Sequence, residues 1–309
     1  MYGNNEVYSY MKKMRLPLII AWSVAVIGIV LGSFLDFQIS KAIASSSNGF
    51  GLAISAIGPI IGFGGVAVMG GGFIAFIIKG KYHIALKILF GVLAAACFGV
   101  ALFYPAGEWF GVNGFYGVAP EALGYLIAFF PAVGGVVGGY FLFKDYQNDK
   151  LWIVFCIIIV LLLIALLAVI PTLKDTIHRP RYRLLATTDA VGFHNWWEPC
   201  KEYKELIDSI PTNKDNFKSY PSGHTAEVSI LFVTITFLPL ANNKYEKYQL
   251  PLFIGASILV LLVAFARILA AAHFLSDVST GATVILTLLI IANEVVMRIK
   301  ALQIKDSEQ

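Results

Sequence analysis

The feature that most constrains the fold of this 309-residue chain is a run of about twenty apolar residues that recurs along the sequence. About twenty residues of α-helix are needed to cross the hydrocarbon core of a bilayer. Only 14% of the residues are charged, against about 25% in an average soluble domain. Neither open strands nor the short alternating segments of a β-barrel fit such runs. The sequence therefore predicts an all-α, polytopic transmembrane helical bundle of about eight spans, at roughly residues 16–36, 57–78, 83–104, 122–143, 151–173, 223–241, 250–271 and 277–298.

Basic residues near the span ends predict the orientation of the bundle, because lysine and arginine concentrate on the cytoplasmic side of membrane proteins. With eight spans, the excess falls before the first span and after each even-numbered one, which places both termini and the tail 301–309 in the cytoplasm. The segment 182–220 then forms an extracytoplasmic loop. The apolar run after the basic start is too long for a cleaved signal peptide, so we interpret it as a retained first span. The predicted location is the cell membrane, as a multi-pass protein.

Several classes of function are disfavoured by composition. The formal charge of +4 and the lack of a basic low-complexity tail argue against nucleic-acid binding. Cys97, Cys156 and Cys200 have neither a disulfide pattern nor a zinc spacing, so we predict no metal. Glycines crowd the second and fourth spans without a GxGxxG fingerprint, which indicates close helix packing and not a nucleotide loop. No cofactor is predicted, and the oligomeric state is not indicated.

The ionisable residues divide the chain into regions. Residues 1–150 carry transmembrane helices without a catalytic motif, whereas residues 151–300 carry three polar clusters, each at the outer end of a predicted span. Charges at membrane depth usually face a partner or a wet cavity. We therefore expect the three clusters to share one cavity. They are Lys174 with Arg181, then Ser222, Gly223 and His224, then Arg267, His273 and Asp277.

These residue types together suit phosphoryl chemistry. Three cations and the amides of a helix N-terminus can bind a phosphate dianion, with close approach at Gly223 and a further donor from Ser222. One histidine can attack phosphorus while the other protonates the leaving oxygen. Asp277, four residues after His273, would orient its imidazole if a helical turn continues.

Each of these residues also has a simpler interpretation. A histidine at a span end can be interfacial, PSGH can be a turn with a helix cap, and Arg267 can extend to the lipid headgroups. For Arg179 and Arg183 we predict this last role, contact with lipid phosphates without catalysis.

In these motifs the chain resembles the type 2 phosphatidic acid phosphatase superfamily, integral-membrane lipid phosphatases related to vanadium haloperoxidases. Lys174 and Arg181 match Lys-x6-Arg-Pro, with Tyr182 in place of proline. The segment 221–224 matches Pro-Ser-Gly-His. Arg267, His273 and Asp277 match Ser-Arg-x5-His-x3-Asp, with Ala266 in place of serine. The family core usually has six spans, two fewer than predicted here.

The resemblance implies a metal-independent lipid phosphatase that acts at the extracytoplasmic face. His273 would form a phosphohistidine, Asp277 would orient it, and His224 would act as general acid. The phosphoryl oxygens would be held by Lys174, Arg181, Ser222, Gly223 and Arg267. The implied substrate is a membrane lipid phosphate or diphosphate, such as phosphatidate, phosphatidylglycerophosphate or a polyprenyl diphosphate. A lipid phosphotransferase would use the same residues, and a non-catalytic lipid transporter or lipid-binding protein is a further alternative.

Overall fold

The fold is known from a computed structural model, which describes residues 4–111, 121–146, 151–210 and 212–298. Within these ranges the chain is helical and contains no β-strand. The predicted tail 301–309 lies outside the described residues. The α-helices are α1 (Asn4–Ile43), α2 (Gly49–Lys79), α3 (Ile84–Gly111), α4 (Glu121–Phe143), α5 (Leu151–Leu163), α6 (Ile170–Ile177), α7 (Tyr182–Leu185), α8 (Tyr203–Ser209), α9 (Gly223–Phe237), α10 (Glu246–Leu269) and α11 (Leu275–Arg298).

Eight helical segments in the described part of the chain are long and apolar enough to cross a membrane, which confirms the predicted all-α bundle. Several extend beyond the predicted limits: the first spans Met11–Ile43 and the fifth Leu151–Leu185. A hydropathy window locates the hydrocarbon core, whereas a helix continues into the interface where polar residues are tolerated.

Helix α9 lies at the centre of the bundle, packed against α2, α10 and α11. In its most apolar stretch 83% of the residues are buried, compared with 11% for α1. Helix α1 packs mainly on α11 and leaves most of its apolar surface facing outward. Because lipid tails are as apolar as leucine, such a surface is stable only inside a bilayer.

The glycines of α2 and α4 confirm the packing prediction in part. A Cβ added at Gly71 would meet the backbone of Val136, and one at Gly139 would meet the backbone of Val68. Small residues there let the two helix backbones approach closely. Gly64, Gly134 and Gly138 have no such neighbour.

The fifth span changes its helical form before it reaches the polar clusters. Between α5 and α6 the backbone forms a π-helix over Ile164–Val169, and Pro171 follows at the start of α6. Proline has no N–H to donate to the helical ladder, and π-helical turns are frequent at functional sites. Helix α6 then ends at His178, which adopts a left-handed conformation. The chain turns here into the segment that contains Arg179 and Arg181.

Candidate active site

The three polar clusters converge on one cavity of about 240 Å3, here called the site cavity. Of the eight predicted site residues, five line it: Lys174, Arg181, Gly223, His224 and His273. The other three lie behind this lining. The Ser222 carbonyl accepts from Ala226 within α9, the Arg267 carbonyl accepts from the N–H of His273, and Asp277 lies 3.8 Å from the His273 ring.

His273 lies in the turn between α10 and α11 and is 1% exposed. Its Nδ1 is 2.5 Å from the carbonyl oxygen of Ser219. A carbonyl can only accept, so Nδ1 carries the proton and Nε2 is the nitrogen left for chemistry. Burial lowers the pKa of His273 to about 3; Asp277 opposes this shift, and the guanidinium groups of Arg181 and Arg267 reinforce it. The imidazole is therefore neutral near pH 7.

Asp277 does not stand on a helical turn shared with His273, as the sequence prediction assumed, because α11 begins only at Leu275. Its Oδ2 is 3.8 Å from His273 Nδ1, too far for a hydrogen bond. The same oxygen accepts from Ser219 Oγ at 2.5 Å and from the Phe274 N–H at 2.8 Å. The second contact closes the first turn of α11. Asp277 thus acts on His273 as a nearby charge, and Ser219 provides the direct contact.

The second cluster forms the N-terminus of α9. Ser222 is its N-cap, and its Oγ accepts from the Thr225 N–H and hydroxyl at 3.4 and 3.1 Å. A Cβ added at Gly223 would lie 3.3 Å from Glu227 Oε1 and 3.6 Å from Lys174 Nζ. The Lys174 ammonium group and the first turn of α9 therefore face the same space. Helix N-termini favour anions.

Arg181 is 1% exposed and keeps two donors for the site cavity. Its Nη2 lies 3.0 Å from Asp215 Oδ1. Its Nε and Nη1 are buried and have no hydrogen-bond partner among the described residues. Burial alone would raise the pKa of Asp215, but Arg181, Arg183 and Lys174 outweigh it and hold that pKa below its ordinary value.

The prediction that Arg183 contacts lipid headgroups is wrong. Its Nη2 lies 2.8 Å from Asp215 Oδ2, and its Nε donates to Asn216 at 2.6 Å. Arg183 thus fixes the loop that holds Asp215 in the site cavity.

The same prediction for Arg179 is wrong by a wider margin. This side chain is fully buried and bridges two carboxylates, Asp36 of α1 and Asp277 of α11. The sequence interpretation also missed five residues of the site and its surroundings: Asp36, Asp215, Ser219, Glu227 and Ser276. A signal existed for two of the missed residues, since Asp36 and Glu227 are acidic residues inside predicted spans.

The lining of the site cavity is mixed in charge and polarity. Asp175, Asp215 and Glu227 accompany the cations, and Tyr104, Leu166, Ile170 and Pro171 form an apolar side. This side joins α3 to the π-helical segment. Phe103 and Leu167, beside it in sequence, are among the most exposed apolar residues of the protein. The cavity is therefore bordered by surface that faces the lipid.

A second group of polar side chains lies in the loop 182–220. The ligand atoms of His194, Cys200 and Glu202 lie within 4.8 Å of one another. Burial raises the pKa of Cys200 to about 11, which keeps the thiol protonated. None of these residues lines the site cavity.

The structure thus combines a bundle of helices long and apolar enough to cross a membrane with a cavity lined by cations and histidines. Residues 149–300 match the family model described as the PAP2 superfamily. This segment belongs to that superfamily, which is phosphatase-type, and the match confirms the resemblance. All eight predicted site residues lie within it. No curated protein and no solved structure matches the chain significantly.

Proposed function

We propose that the protein is a lipid phosphatase that hydrolyses a lipid phosphate or diphosphate through a phosphohistidine intermediate. One observation carries the proposal: the site cavity brings His224 and a neutral His273 together with Lys174, Arg181 and the Gly223 amide. A nucleophile, an acid and an oxyanion cradle are the parts that phosphoryl transfer to a side chain requires.

Binding of the phosphoryl group uses donors that face the site cavity. Lys174 contributes an ammonium group, and Arg181 contributes the Nε and Nη1 that lack partners in the described residues. The amide of Gly223 adds a donor at the helix N-terminus. Ser222 lies behind the lining, and its Oγ is the acceptor in both of its contacts with described residues, so its hydroxyl is a further candidate donor at this helix end. Arg267 adds positive charge behind the histidines.

The chemical step is an in-line displacement. Nε2 of His273 forms a bond to phosphorus as the bond between phosphorus and the leaving oxygen breaks, and His224, which enters this step protonated, gives that oxygen its proton. His224 then removes a proton from water, which attacks the phosphohistidine and releases inorganic phosphate. Throughout, Nδ1 keeps its proton and donates a hydrogen bond to the Ser219 carbonyl, and Asp277 stabilises the positive imidazole.

The lipid character of the substrate follows from the apolar side of the cavity. A phosphate held by Lys174 and Arg181 would have its leaving group near Tyr104, Leu166 and Ile170. An acyl or prenyl chain could then continue along the outward surface at Phe103 and Leu167 without leaving the bilayer. The distribution of basic residues supports an extracytoplasmic position for this face.

The test is phosphate release by the purified protein in EDTA from phosphatidate, phosphatidylglycerophosphate and a polyprenyl diphosphate. We expect hydrolysis of at least one of these lipids, and a loss of about 10³-fold or more in His273→Ala. His83→Ala, at an exposed position between α2 and α3, is the matched control and should retain full activity.

Three outcomes would contradict parts of the proposal. Undiminished hydrolysis in His273→Ala would exclude the phosphohistidine. Dependence on added magnesium would exclude the metal-independent mechanism. Transfer of the phosphoryl group to an alcohol, without release of phosphate, would identify a phosphotransferase.

A further inference from the structure

A second polar cluster lies behind His273, away from the site cavity. It comprises Asp36, Arg179, Ser219, Ser276 and Asp277, here called the buried network, and all five residues are fully or almost fully buried. Arg179 is its centre. Its Nη2 lies 2.9 Å from Asp36 and its Nη1 lies 2.5 Å from Asp277. Its Nε donates to the carbonyl of His194 at 2.9 Å, and its guanidinium carbon lies 4.3 Å from the Phe274 ring centroid.

Asp36 ties the first helix to the start of the last. Its Oδ1 accepts from the Ser276 N–H at 2.9 Å, and its Oδ2 accepts from the Ser276 hydroxyl at 2.5 Å. The helices are in close contact here, since a Cβ at Gly32 would meet the Ser276 backbone. A carboxylate of α1 therefore caps the helix turn that carries Asp277.

Arg179 holds both groups that contact or neighbour the imidazole of His273. Its carbonyl accepts from the Ser219 N–H at 3.0 Å, and the Ser219 carbonyl accepts a hydrogen bond from Nδ1 of His273. Its guanidinium binds Asp277, which also accepts from the Ser219 hydroxyl. The network thus surrounds Nδ1 of the His273 imidazole, and a shift of Arg179 would displace both Ser219 and Asp277.

The charges of the buried network suit a positioning role. Two carboxylates in a dry interior repel each other, and one guanidinium between them stabilises both as anions. Asp36 binds one arm of the Arg179 guanidinium. Arg179 therefore neutralises the charge of Asp277 only in part, and the remaining negative charge acts on His273. Without Asp36, Arg179 would be free to pair with Asp277 through both arms and cancel that charge.

We infer that Asp36 and Arg179 are positioning residues that fix the tautomer and orientation of His273 through Ser219 and Asp277. Helix α1, which lies outside the matched segment 149–300, is then part of the active-site apparatus. The catalytic consequence rests on the proposed function, since it takes His273 as the nucleophile. The structural consequence, a protonated Nδ1 held in one orientation, does not depend on the reaction.

The experiment compares Asp36→Asn and Arg179→Lys with the wild-type protein, using Lys41→Gln on the exposed end of α1 as control. The first readout is the ¹⁵N NMR spectrum of histidine-labelled protein, with the His273 signals assigned by His273→Gln. We expect a single Nδ1–H tautomer in wild type and control, and mixed tautomers in both variants. The second readout is hydrolysis of short-chain phosphatidate. We expect kcat to fall about 10- to 100-fold, as for other groups that orient a functional histidine, with KM nearly unchanged because the phosphate donors remain.

The outcomes separate this inference from the proposed function. If Asp36→Asn shows the wild-type tautomer and the wild-type kcat per folded molecule, the inference is overturned. The same holds if activity falls only in proportion to the folded fraction, as measured by the thermal melt. If wild-type protein releases no phosphate from any lipid, the proposed function fails, and the NMR spectrum alone decides the positioning role: mixed tautomers in Asp36→Asn support it and a single tautomer rejects it.

Discussion

The site cavity and the buried network are adjacent, and each combines an arginine with carboxylates. They differ in what the hydrogen-bond donors of that arginine contact. Arg179 and Arg181 are two residues apart and both fully or nearly buried. Arg179 donates from all three of its nitrogens to the protein. Arg181 uses one nitrogen for Asp215 and its other two are unpaired in the described residues.

The difference in hydrogen-bond partners distinguishes binding groups from positioning groups in a buried polar site. Leaving a buried donor without a partner costs free energy, so such a donor persists where a ligand can satisfy it. A guanidinium whose donors are all satisfied by protein contributes to the fold and to the geometry of its neighbours. This criterion supports the proposed role of Arg181 in binding the phosphoryl group and the inferred role of Arg179 in positioning its neighbours.

The largest expected effects come from exchanging each arginine for alanine. Arg179→Ala leaves two buried carboxylates unpaired, which should destabilise the protein by about 3–5 kcal/mol. Arg181→Ala should lower stability much less, because Arg183 still binds Asp215, but it removes charged hydrogen bonds worth about 1.5–3 kcal/mol each. We expect kcat/KM to fall about 100-fold in that variant.

Thermal melts in detergent and phosphatidate hydrolysis measure both quantities on each variant. A large loss of stability in Arg181→Ala together with a stable Arg179→Ala would contradict the assignment of Arg181 to binding and Arg179 to positioning. Lys201→Ala, at an exposed position of the loop 182–220, controls for loss of positive charge.

Much of the fold follows from the sequence because each membrane crossing needs its own apolar run. The eight runs therefore reveal eight helices, although not their ends, which extend into the interface as in α1. The site cavity was also accessible to prediction. Its residues lie at the outer ends of spans, and helix ends on one side of a membrane share one depth.

The buried network was not accessible in the same way. Arg179 and Asp36 are 143 residues apart, and the local sequence around Arg179 resembles that around Arg183. Only the packing of α1 on α11 distinguishes a buried arginine from one at the surface. The left-handed turn at His178 and the start of α11 at Leu275 are further details that depend on tertiary contacts.

A smaller effect is expected on the cavity side of the comparison, at Gly223. A Cβ there would lie 3.3 Å from Glu227 Oε1 and 3.6 Å from Lys174 Nζ, in the space assigned to the phosphoryl group. Gly223→Ala should therefore raise KM about tenfold, equivalent to about 1.4 kcal/mol, while the melting temperature changes little. Gly255→Ala in α10, where no atom lies within 4 Å of the added Cβ, is the matched control. An unchanged KM in Gly223→Ala would place the phosphate elsewhere in the cavity.

The smallest expected effect concerns pH and tests whether burial keeps His273 neutral. The folded-state pKa of His273 is lowered to about 3 by burial, against the opposing influence of Asp277, while in the unfolded chain it lies near 6.5. The unfolded state therefore binds more protons below pH 6.5, so the stability present above this pH is lost as the pH falls towards 3. Between pH 7 and 5 we expect the melting temperature to fall by about 2–4 °C from this group, and the fall should be reduced in His273→Gln. Asp215 contributes little in this window, because its folded-state pKa is lowered and its stabilisation is lost only as the pH falls through the ordinary aspartate value and below it. An equal fall of the melting temperature in His273→Gln and in wild type would show that His273 is not held neutral. The assignment of His273 as a neutral nucleophile beside a charged cavity would then be wrong.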